Sequence, residues 1–98
     1  MHIRNFSESD RAYVVDLWEQ CDLTRPWNDP HKDIDRKVLF QPELFFIGTV
    51  KSSVVASAMA GYDGHRGSVF YLAVHPKFQA LGYGQKLMGH IEHVLTDI

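Results

Sequence analysis

One loop of the sequence combines residue types that suit phosphate binding. The apolar run 68–74 predicts a strand that ends at His75, and the stretch from Gln79 to Gly84 then opens a predicted helix. The first backbone N–H groups of a helix have no partner within it, and the helix dipole favours negative charge there. Gly82 and Gly84 let the backbone approach a ligand closely. The loop therefore predicts a cradle for a diphosphate, with a tight strand-to-helix turn as the alternative interpretation.

Two familiar nucleotide-binding motifs are missing from the sequence. No Gly-Lys-Ser or Gly-Lys-Thr triplet occurs, which excludes a P-loop NTPase. The complete Rossmann fingerprint is also missing, and the glycine loop follows the last predicted strand instead of the first. The loop therefore belongs to neither of these classes.

The spacing of apolar residues predicts the elements that position this loop, in the order strand, helix, helix, three strands and helix. A helix should start at Ser7 and run to about Cys21, and Pro42 should end a second helix over 33–40. Residues 22–32 between them are rich in proline and polar side chains and predict a loop. The predicted strands are 2–6, 44–50, 54–62 and 68–74, and the last helix starts at about Gly82.

The same elements predict how the core is packed. The uninterrupted apolar run 68–74 is typical of a strand that is covered on both faces. Trp18 and Phe70 are expected in the core, and Cys21 is expected to be a small buried packing residue. Alternate residues of the third strand should share one face: Val54, Ala56, Ala58, Ala60 and Tyr62.

Length and composition restrict the possible classes of protein. A chain of 98 residues makes one domain, and 45% hydrophobic with 22% charged residues is typical of a globular fold. The net charge of -2 and the scattered basic residues argue against nucleic-acid binding. No apolar stretch has membrane-spanning length, the first residues have no signal-peptide core, and a single cysteine excludes a disulfide framework. A cytoplasmic protein without a membrane segment is expected.

The pattern Gln79-x-x-Gly82-x-Gly84, which follows Leu72-Ala73-Val74-His75-Pro76, resembles the acetyl-CoA signature of the GNAT superfamily of N-acetyltransferases. The order of the predicted elements also resembles the N-terminal half of that fold. Three further runs are similar to the YpeA-like bacterial members: 21–23, 25–30 and 61–68. The resemblance implies an α/β fold with a mostly antiparallel four-stranded sheet and flanking helices, as one acetyl-CoA-binding domain over 1–98. It also implies that these residues correspond to the fold as far as its third helix.

The resemblance further implies how acetyl-CoA is held. Backbone groups of Leu72, Ala73 and Val74 would pair with the pantetheine arm like an added strand. Amides of the following loop would hold the diphosphate, with Gln85 beside them: Gln79, Ala80, Leu81, Gly82, Tyr83 and Gly84. The family acts by direct attack of a substrate amine on the bound thioester, and the enzyme supplies positioning, an oxyanion-stabilising amide, a base and an acid.

Several family features that support catalysis have no counterpart in these residues. The strand and the tyrosine-bearing helix that follow the third helix in the family lie beyond them, and the last two predicted strands contain no glutamate. The candidates for the base are Asp63, His65, Tyr71 and His75. In relatives the loop with Trp27, Asn28 and Asp29 lies near the acceptor cleft, so these residues are candidates for substrate contact, or else the tryptophan anchors the loop. His90 and His93 have helical metal-ligand spacing without a third ligand, which favours a solvated helix flank and no metal.

Two functions from different classes are consistent with these residues. The first is an acetyl-CoA-dependent N-acetyltransferase that acts on a primary amine and is impaired in this 98-residue chain. The second is a non-catalytic module of the same fold that binds CoA weakly or only self-associates. Because the strand Ser68 to Val74 should lie at the sheet edge, we expect a homodimer through it. The last helices would then pack together through Leu87, Ile91 and Leu95.

Overall fold

The computed structural model describes residues 1–27 and 29–97, and it confirms the expected α/β fold. One four-stranded antiparallel sheet has the order β1-β2-β3-β4. Its strands are β1 (His2–Asn5), β2 (Phe45–Val50), β3 (Ser53–Tyr62) and β4 (Gly67–Val74), and the helices are α1 (Arg11–Gln20), α2 (Pro30–Leu39) and α3 (Tyr83–Thr96). Short 3-10 turns cover Glu8–Asp10, Pro42–Leu44 and Pro76–Phe78. Within residues 1–27 and 29–97, no helix is both long and apolar enough to span a bilayer.

Buried side chains lie on both faces of the sheet, so the molecule has three layers. Along β2, Phe45 and Ile47 pack on the face covered by α1 and α2, whereas Phe46 packs on the face covered by α3. This alternation follows from the two-residue period of a strand. Trp18 of α1 is fully buried, and its indole N–H donates to the Ser57 hydroxyl at 2.9 Å. Helices α1 and α2 therefore lie on one face of the sheet, and α3 lies on the other.

A bulge in β3 corrects the prediction about its alternating face. Gly48 pairs with Ala56 but Thr49 pairs with Val54, so Val55 is an extra residue in β3. Because a bulge shifts the alternation by one position, Val54 packs on the α1 face. Ala56, Ala58, Ala60 and Tyr62 do share the α3 face as predicted, and the prediction is wrong for Val54 alone.

The first two helices start at residues other than those predicted. The segment after Ser7 is a 3-10 turn, in which the Asp10 carboxylate accepts the Ser7 backbone N–H at 2.8 Å, so α1 itself begins at Arg11. Helix α2 begins at Pro30, three residues before the predicted start at 33, because Asp29 caps it and accepts the His31 N–H at 2.9 Å. Proline is favoured at the first helical position, since its fixed φ suits a helix there.

Strand β4 is less covered than its apolar sequence predicted. It lies at the edge of the sheet, and among its residues only Ala73 is buried. Phe70 is 43% exposed, so its prediction as a core residue is wrong, while the prediction for Trp18 is confirmed. An apolar run cannot distinguish a central strand from an edge strand, because the neighbour on the outer side is a long-range feature. Cys21 is only half-buried and donates its Sγ–H to the Val74 carbonyl at 3.2 Å.

Candidate functional site

The connection from β4 to α3 is a tightly built loop whose backbone turns twice through the left-handed region. It begins at His75, whose N–H donates to the Val55 carbonyl at 2.7 Å, and the Gln79 side chain donates back to the Val74 carbonyl at 3.0 Å. Ala80 has φ +67° and Gly82 has φ +80°. Residues with positive φ let the chain reverse direction in a short distance, and glycine does so without steric cost. The loop thus places the start of α3 directly beside the end of β4.

Helix α3 starts in this loop with backbone donors that have no hydrogen-bond partner among the described residues. The first bond of the i→i−4 type runs from the Lys86 N–H to the Gly82 carbonyl at 3.0 Å. The amides of Tyr83, Gly84 and Gln85 therefore precede the helical ladder, at the positive end of the helix dipole. α3 has 14 residues, which is long enough for the dipole to develop fully at its end.

A cleft of about 580 Å³ lies in front of these amides. It brings together most residues of the predicted cofactor site: Val74, Gln79, Ala80, Gly82, Tyr83, Gly84 and Gln85. Leu81 belongs to the same loop but does not line the cleft, and 56% of its surface is exposed, while Leu72 and Ala73 lie further back along β4. An added Cβ at Gly82 would meet no atom within 4 Å, so the space above this glycine is open.

Positive side chains contribute little to the cleft, so backbone dipoles dominate its electrostatics. Lys77 and Lys86 are both exposed, and the Lys86 ammonium lies 5.6 Å from the centre of the Tyr83 ring. Tyr83 in turn stacks with Phe78 at a ring distance of 6.2 Å, which holds the base of the cleft. An arrangement of converging amides with few formal charges is suited to a phosphate or diphosphate group.

A second irregularity, which the sequence did not predict, interrupts β4 before the cleft. Ser57 pairs with Ala73 and Met59 pairs with Phe70, so Tyr71 and Leu72 together oppose the single residue Ala58. Tyr71 has φ +56°, a conformation that costs about 1–3 kcal/mol in a residue with a side chain. A bulge leaves the extra residue outside the ladder and re-aims backbone and side chains. No glycine marks this position, so the sequence carried no local signal for it.

Tyr71 is the only one of the four base candidates at this bulge. Its ring stacks on Trp18 with a centre-to-centre distance of 4.2 Å, and its hydroxyl donates to Asp33. Burial, followed by the hydrogen bond and the charge of Asp33, raises the pKa of Tyr71 to about 12. Tyr71 therefore keeps its proton at neutral pH and serves as a hydrogen-bond donor.

The other three candidates have structural contacts of their own. Asp63 accepts the N–H groups of His65 and Arg66 at 2.9 and 2.8 Å, and these bonds lower the pKa of Asp63. This turn precedes β4, so the length of the strand separates Asp63 and His65 from the cleft by roughly 20 Å. His75 adjoins the cleft, but its Nδ1 accepts the Lys77 N–H at 3.1 Å. That bond occupies the lone pair a neutral His75 needs to act as a base, with the ring proton on Nε2.

The remaining predicted residues are dispersed over the surface. Trp27 is 78% exposed, so it does not anchor its loop, and Asp29 caps α2, while Asn28 lies outside the described residues. The His90 ring packs edge-on against the Phe46 ring with ring centres 5.0 Å apart, and the His93 Nε2 lies 3.7 Å from the Asp97 Oδ2. Among the residues described, no three metal-ligating side chains come together.

Comparison with known proteins shows the family to which this chain is similar. Residues 11–98 match the family described as acetyltransferase (GNAT) family. The chain is 52% identical over 95 residues to an acetyltransferase of Yersinia enterocolitica, covering 97% of this chain and 67% of the relative.

Two solved structures illustrate the likeness of fold. Ard1 from Thermoplasma volcanium superposes with a TM-score of 0.84 at 26% identity, covering 98% of this chain and 64% of Ard1. The N-acetylglutamate synthase of Neisseria gonorrhoeae, solved with coenzyme A and L-arginine, has a TM-score of 0.77 at 21% identity, over 99% of this chain and 22% of the synthase. The chain thus spans about two thirds of the length of the first two proteins.

Proposed function

We propose that this chain, which belongs to the GNAT family of acetyltransferases, binds acetyl-CoA and transfers its acetyl group to a primary amine. One observation carries the proposal. The amides of Tyr83, Gly84 and Gln85 converge at the start of α3 on a cleft that directly continues β4. A cleft at the start of α1 contains the Asp10 carboxylate, which would repel an anion.

The diphosphate of acetyl-CoA fits the cleft by charge and by space. Its negative charge would lie at the positive end of the α3 dipole and accept hydrogen bonds from the amides of Tyr83 to Gln85. The space above Gly82 is open and Ala80 has positive φ, so the loop leaves room for a phosphate. Gln79, whose side chain donates to the Val74 carbonyl, would flank the cofactor on the loop.

The pantetheine arm would follow the outer side of β4 past Leu72, Ala73 and Val74. The support for this position is that β4 is the edge strand of the sheet, so one side of its backbone faces no strand among the described residues. An extended amide-containing chain can pair with such an edge as an additional strand does. The thioester would then lie at the bulge of Tyr71 and Leu72, where the backbone departs from the ladder.

The chemistry that these residues support is positioning with electrostatic stabilisation. An amine nitrogen attacks the thioester carbonyl, the C–N bond forms, the C–S bond breaks, and the sulfur leaves with a proton. A backbone N–H at the Tyr71–Leu72 bulge would stabilise the negative charge that develops on the carbonyl oxygen. The four base candidates are either remote, protonated or already hydrogen-bonded, and lack of acid–base catalysis costs ~10²–10⁴-fold. We therefore expect the 98-residue chain to bind acetyl-CoA well and to transfer slowly.

Calorimetric titration of the 98-residue chain tests this function. Acetyl-CoA should bind saturably, and S-acetylpantetheine, which lacks the diphosphate, should bind at least about 100-fold more weakly because it forgoes the bonds to charged oxygens. Equal affinity for the two compounds would contradict the proposed cradle. A turnover rate with a simple primary amine near ordinary enzyme values, about 10 s⁻¹, would contradict the expectation of slow transfer.

The exposed edge also supports the second function, self-association as a homodimer through Ser68 to Val74. Phe70 and Leu72 are 43% and 39% exposed on a strand that has no outer neighbour among the described residues, and such edges are templates for pairing. A two-fold axis beside β4 would join identical edges into one antiparallel sheet. The expected packing of the last helices across this axis through Leu87 and Ile91 is wrong, because both side chains are buried in the core of the single chain. Pantetheine and a second copy would use the same edge, so the two functions compete.

Analytical ultracentrifugation separates these functions. The parent at tens of micromolar should sediment as a dimer and shift toward monomer when acetyl-CoA is added. Leu72→Lys should give a monomer because it places a charge at the joined edges, whereas Val38→Lys, at a matched exposure of 40% on α2, should stay dimeric. A monomeric parent would contradict self-association, and a dimer that acetyl-CoA leaves intact would contradict the shared edge.

A further inference from the structure

A second cavity, of about 460 Å³, lies between α2 and β4 on the face of the sheet that carries Trp18. Its apolar walls come from Leu39 and Phe40 at the end of α2, from Met59 of β3 and from Phe70 of β4. The volume is within the ~300–1,000 Å³ range of small-molecule sites. Leu39 and Phe40 are 87% and 66% exposed, an unusual amount of apolar surface to gather around one opening.

The polar side chains of the cavity are bonded to one another and to the backbone. The Asp33 carboxylate accepts from the Tyr71 hydroxyl and from Arg36, and the Lys37 ammonium donates to the Ala60 carbonyl. Within residues 1–27 and 29–97, no buried side-chain nitrogen or oxygen lacks a hydrogen-bond partner. The cavity therefore offers apolar contact, and its charged side chains, Asp33, Arg36 and Lys37, already have hydrogen-bond partners.

Lys37 gives the inner end of the cavity a positive charge. The residue is 6% exposed, and its ammonium lies 5.7 Å from the centre of the Phe70 ring. Burial lowers the pKa of Lys37, and the charge of Glu43 opposes this effect. A second cation beside Lys37 would be repelled, and the Asp33 carboxylate is already paired with Arg36 and the Tyr71 hydroxyl. An amine-bearing molecule would therefore enter with its apolar end first and keep its amine at the opposite end.

Tyr71 joins this cavity to the proposed transfer site, because it lines the cavity and also forms the bulge in β4. An apolar group in the cavity would leave the attached amine at the bulge, where the thioester is proposed to lie. We propose that the cavity receives the apolar side chain, an aromatic ring or a branched aliphatic chain, of the amine acceptor. The acceptor class is therefore an amine with an apolar substituent, an inference that rests on the proposed function.

A titration observed at the Met59 methyl group tests this inference without any turnover. In protein labelled with ¹³C at the methionine methyl groups, the probe N-acetyl-2-phenylethylamine, an acetylated apolar amine, should shift the Met59 signal saturably. N-acetylethanolamine, which has no apolar group, should not shift it. Phe70→Ser should weaken the response to the phenyl compound at least about tenfold by removing one wall. Val38→Ser, on α2 and outside the cavity, has a matched exposure of 40% and should change it less than twofold.

Calorimetry with acetyl-CoA on the same samples separates this inference from the proposed function. One outcome is that acetyl-CoA binds while the Met59 signal either does not shift with the phenyl compound or shifts equally with both amides. In either case the cavity inference is wrong and the proposed function stands. The inference is also wrong if Phe70→Ser binds like the parent. If the Met59 signal responds but acetyl-CoA does not bind, the assignment of the cavity to an acceptor is overturned together with the proposed function.

Discussion

The two turns that flank β4 look alike in sequence and differ in what their backbone amides do. The first, residues 63–66, and the second, residues 75–82, each contain a histidine and a glycine with positive φ, Gly64 at +95° and Gly82 at +80°. In the first turn, the Asp63 carboxylate accepts the amides of His65 and Arg66. In the second, the amides that follow Gly82 open α3 and precede its first ladder bond. The proposed anion site therefore lies at the turn whose donors remain available, and not at the turn whose donors are already accepted by a carboxylate.

The largest difference in acetyl-CoA affinity between the two turns is expected when valine replaces the glycine of each turn, Gly82 or Gly64. Gly82→Val should lower the affinity for acetyl-CoA by about 100-fold or more, because two lost bonds to charged oxygens at ~1.5 kcal/mol each amount to roughly 3 kcal/mol. Gly64→Val is the matched control: it also forces a side chain into positive φ, and an added Cβ there also meets no atom within 4 Å. It should leave the affinity within about twofold of the parent. Calorimetry after a check of thermal unfolding decides the matter, and equal losses in the two variants would contradict the difference between the turns.

A smaller effect is expected from Lys86, the cation beside the start of α3. Lys86→Ala should weaken acetyl-CoA binding by at most about fivefold, since an exposed ionic contact contributes about 0.2–1 kcal/mol. Lys32→Ala on α2, also exposed, should have no effect and serves as the control. The difference in acetyl-CoA affinity between Lys86→Ala and the parent should be smaller at high salt than at low salt, because salt screens the charge of Lys86. A loss as large as that of Gly82→Val would show that side-chain charge, and not the backbone, holds the anion.

The smallest effect on binding is expected from Asp63, whose role is confined to the first turn. Its folded pKa lies below the unfolded value because it accepts backbone N–H groups, so its contribution to stability exists above the unfolded pKa and is lost as the pH falls through the folded one. Asp63→Asn should therefore lower Tm slightly at pH 7, and the difference should vanish once the pH falls below the folded pKa of Asp63. Acetyl-CoA affinity should not change. A variant that lost binding would place the first turn in the site.

The comparison also shows which parts of the structure a sequence can predict. The glycines, the strand end and the helix start are adjacent in the chain, so the loop from Gln79 to Gly84 was predictable from local sequence, whereas the edge position of β4 was expected only from the family resemblance. The bulges at Val55 and at Tyr71 were not, because each depends on a register between strands that are distant in sequence. The exposure of Phe70 has the same origin. The early start of α2 has a local signal, Asp29 followed by Pro30, but the same two residues are also typical of a loop.

The contacts of Tyr71 illustrate why the chemistry is harder to predict than the fold. Its hydroxyl meets Asp33 and its ring meets Trp18, which lie on two different helices. Burial, followed by the hydrogen bond to Asp33, raises the pKa of Tyr71 and makes it a donor, whereas the sequence had offered it as one of four candidates for the base. The assignment depended on contacts that form only when the sheet and both helices are assembled.

Backbone amide NMR with two ligands tests the central claim most directly. On titration with acetyl-CoA, the amide signals of Tyr83, Gly84 and Gln85 should move more than any others, while those of His65 and Arg66 stay in place. S-acetylpantetheine, which has no diphosphate, should leave all five signals unchanged. Acetyl-CoA that moves the signals of His65 and Arg66 most, or that leaves the signals of Tyr83 to Gln85 unchanged, would contradict the account.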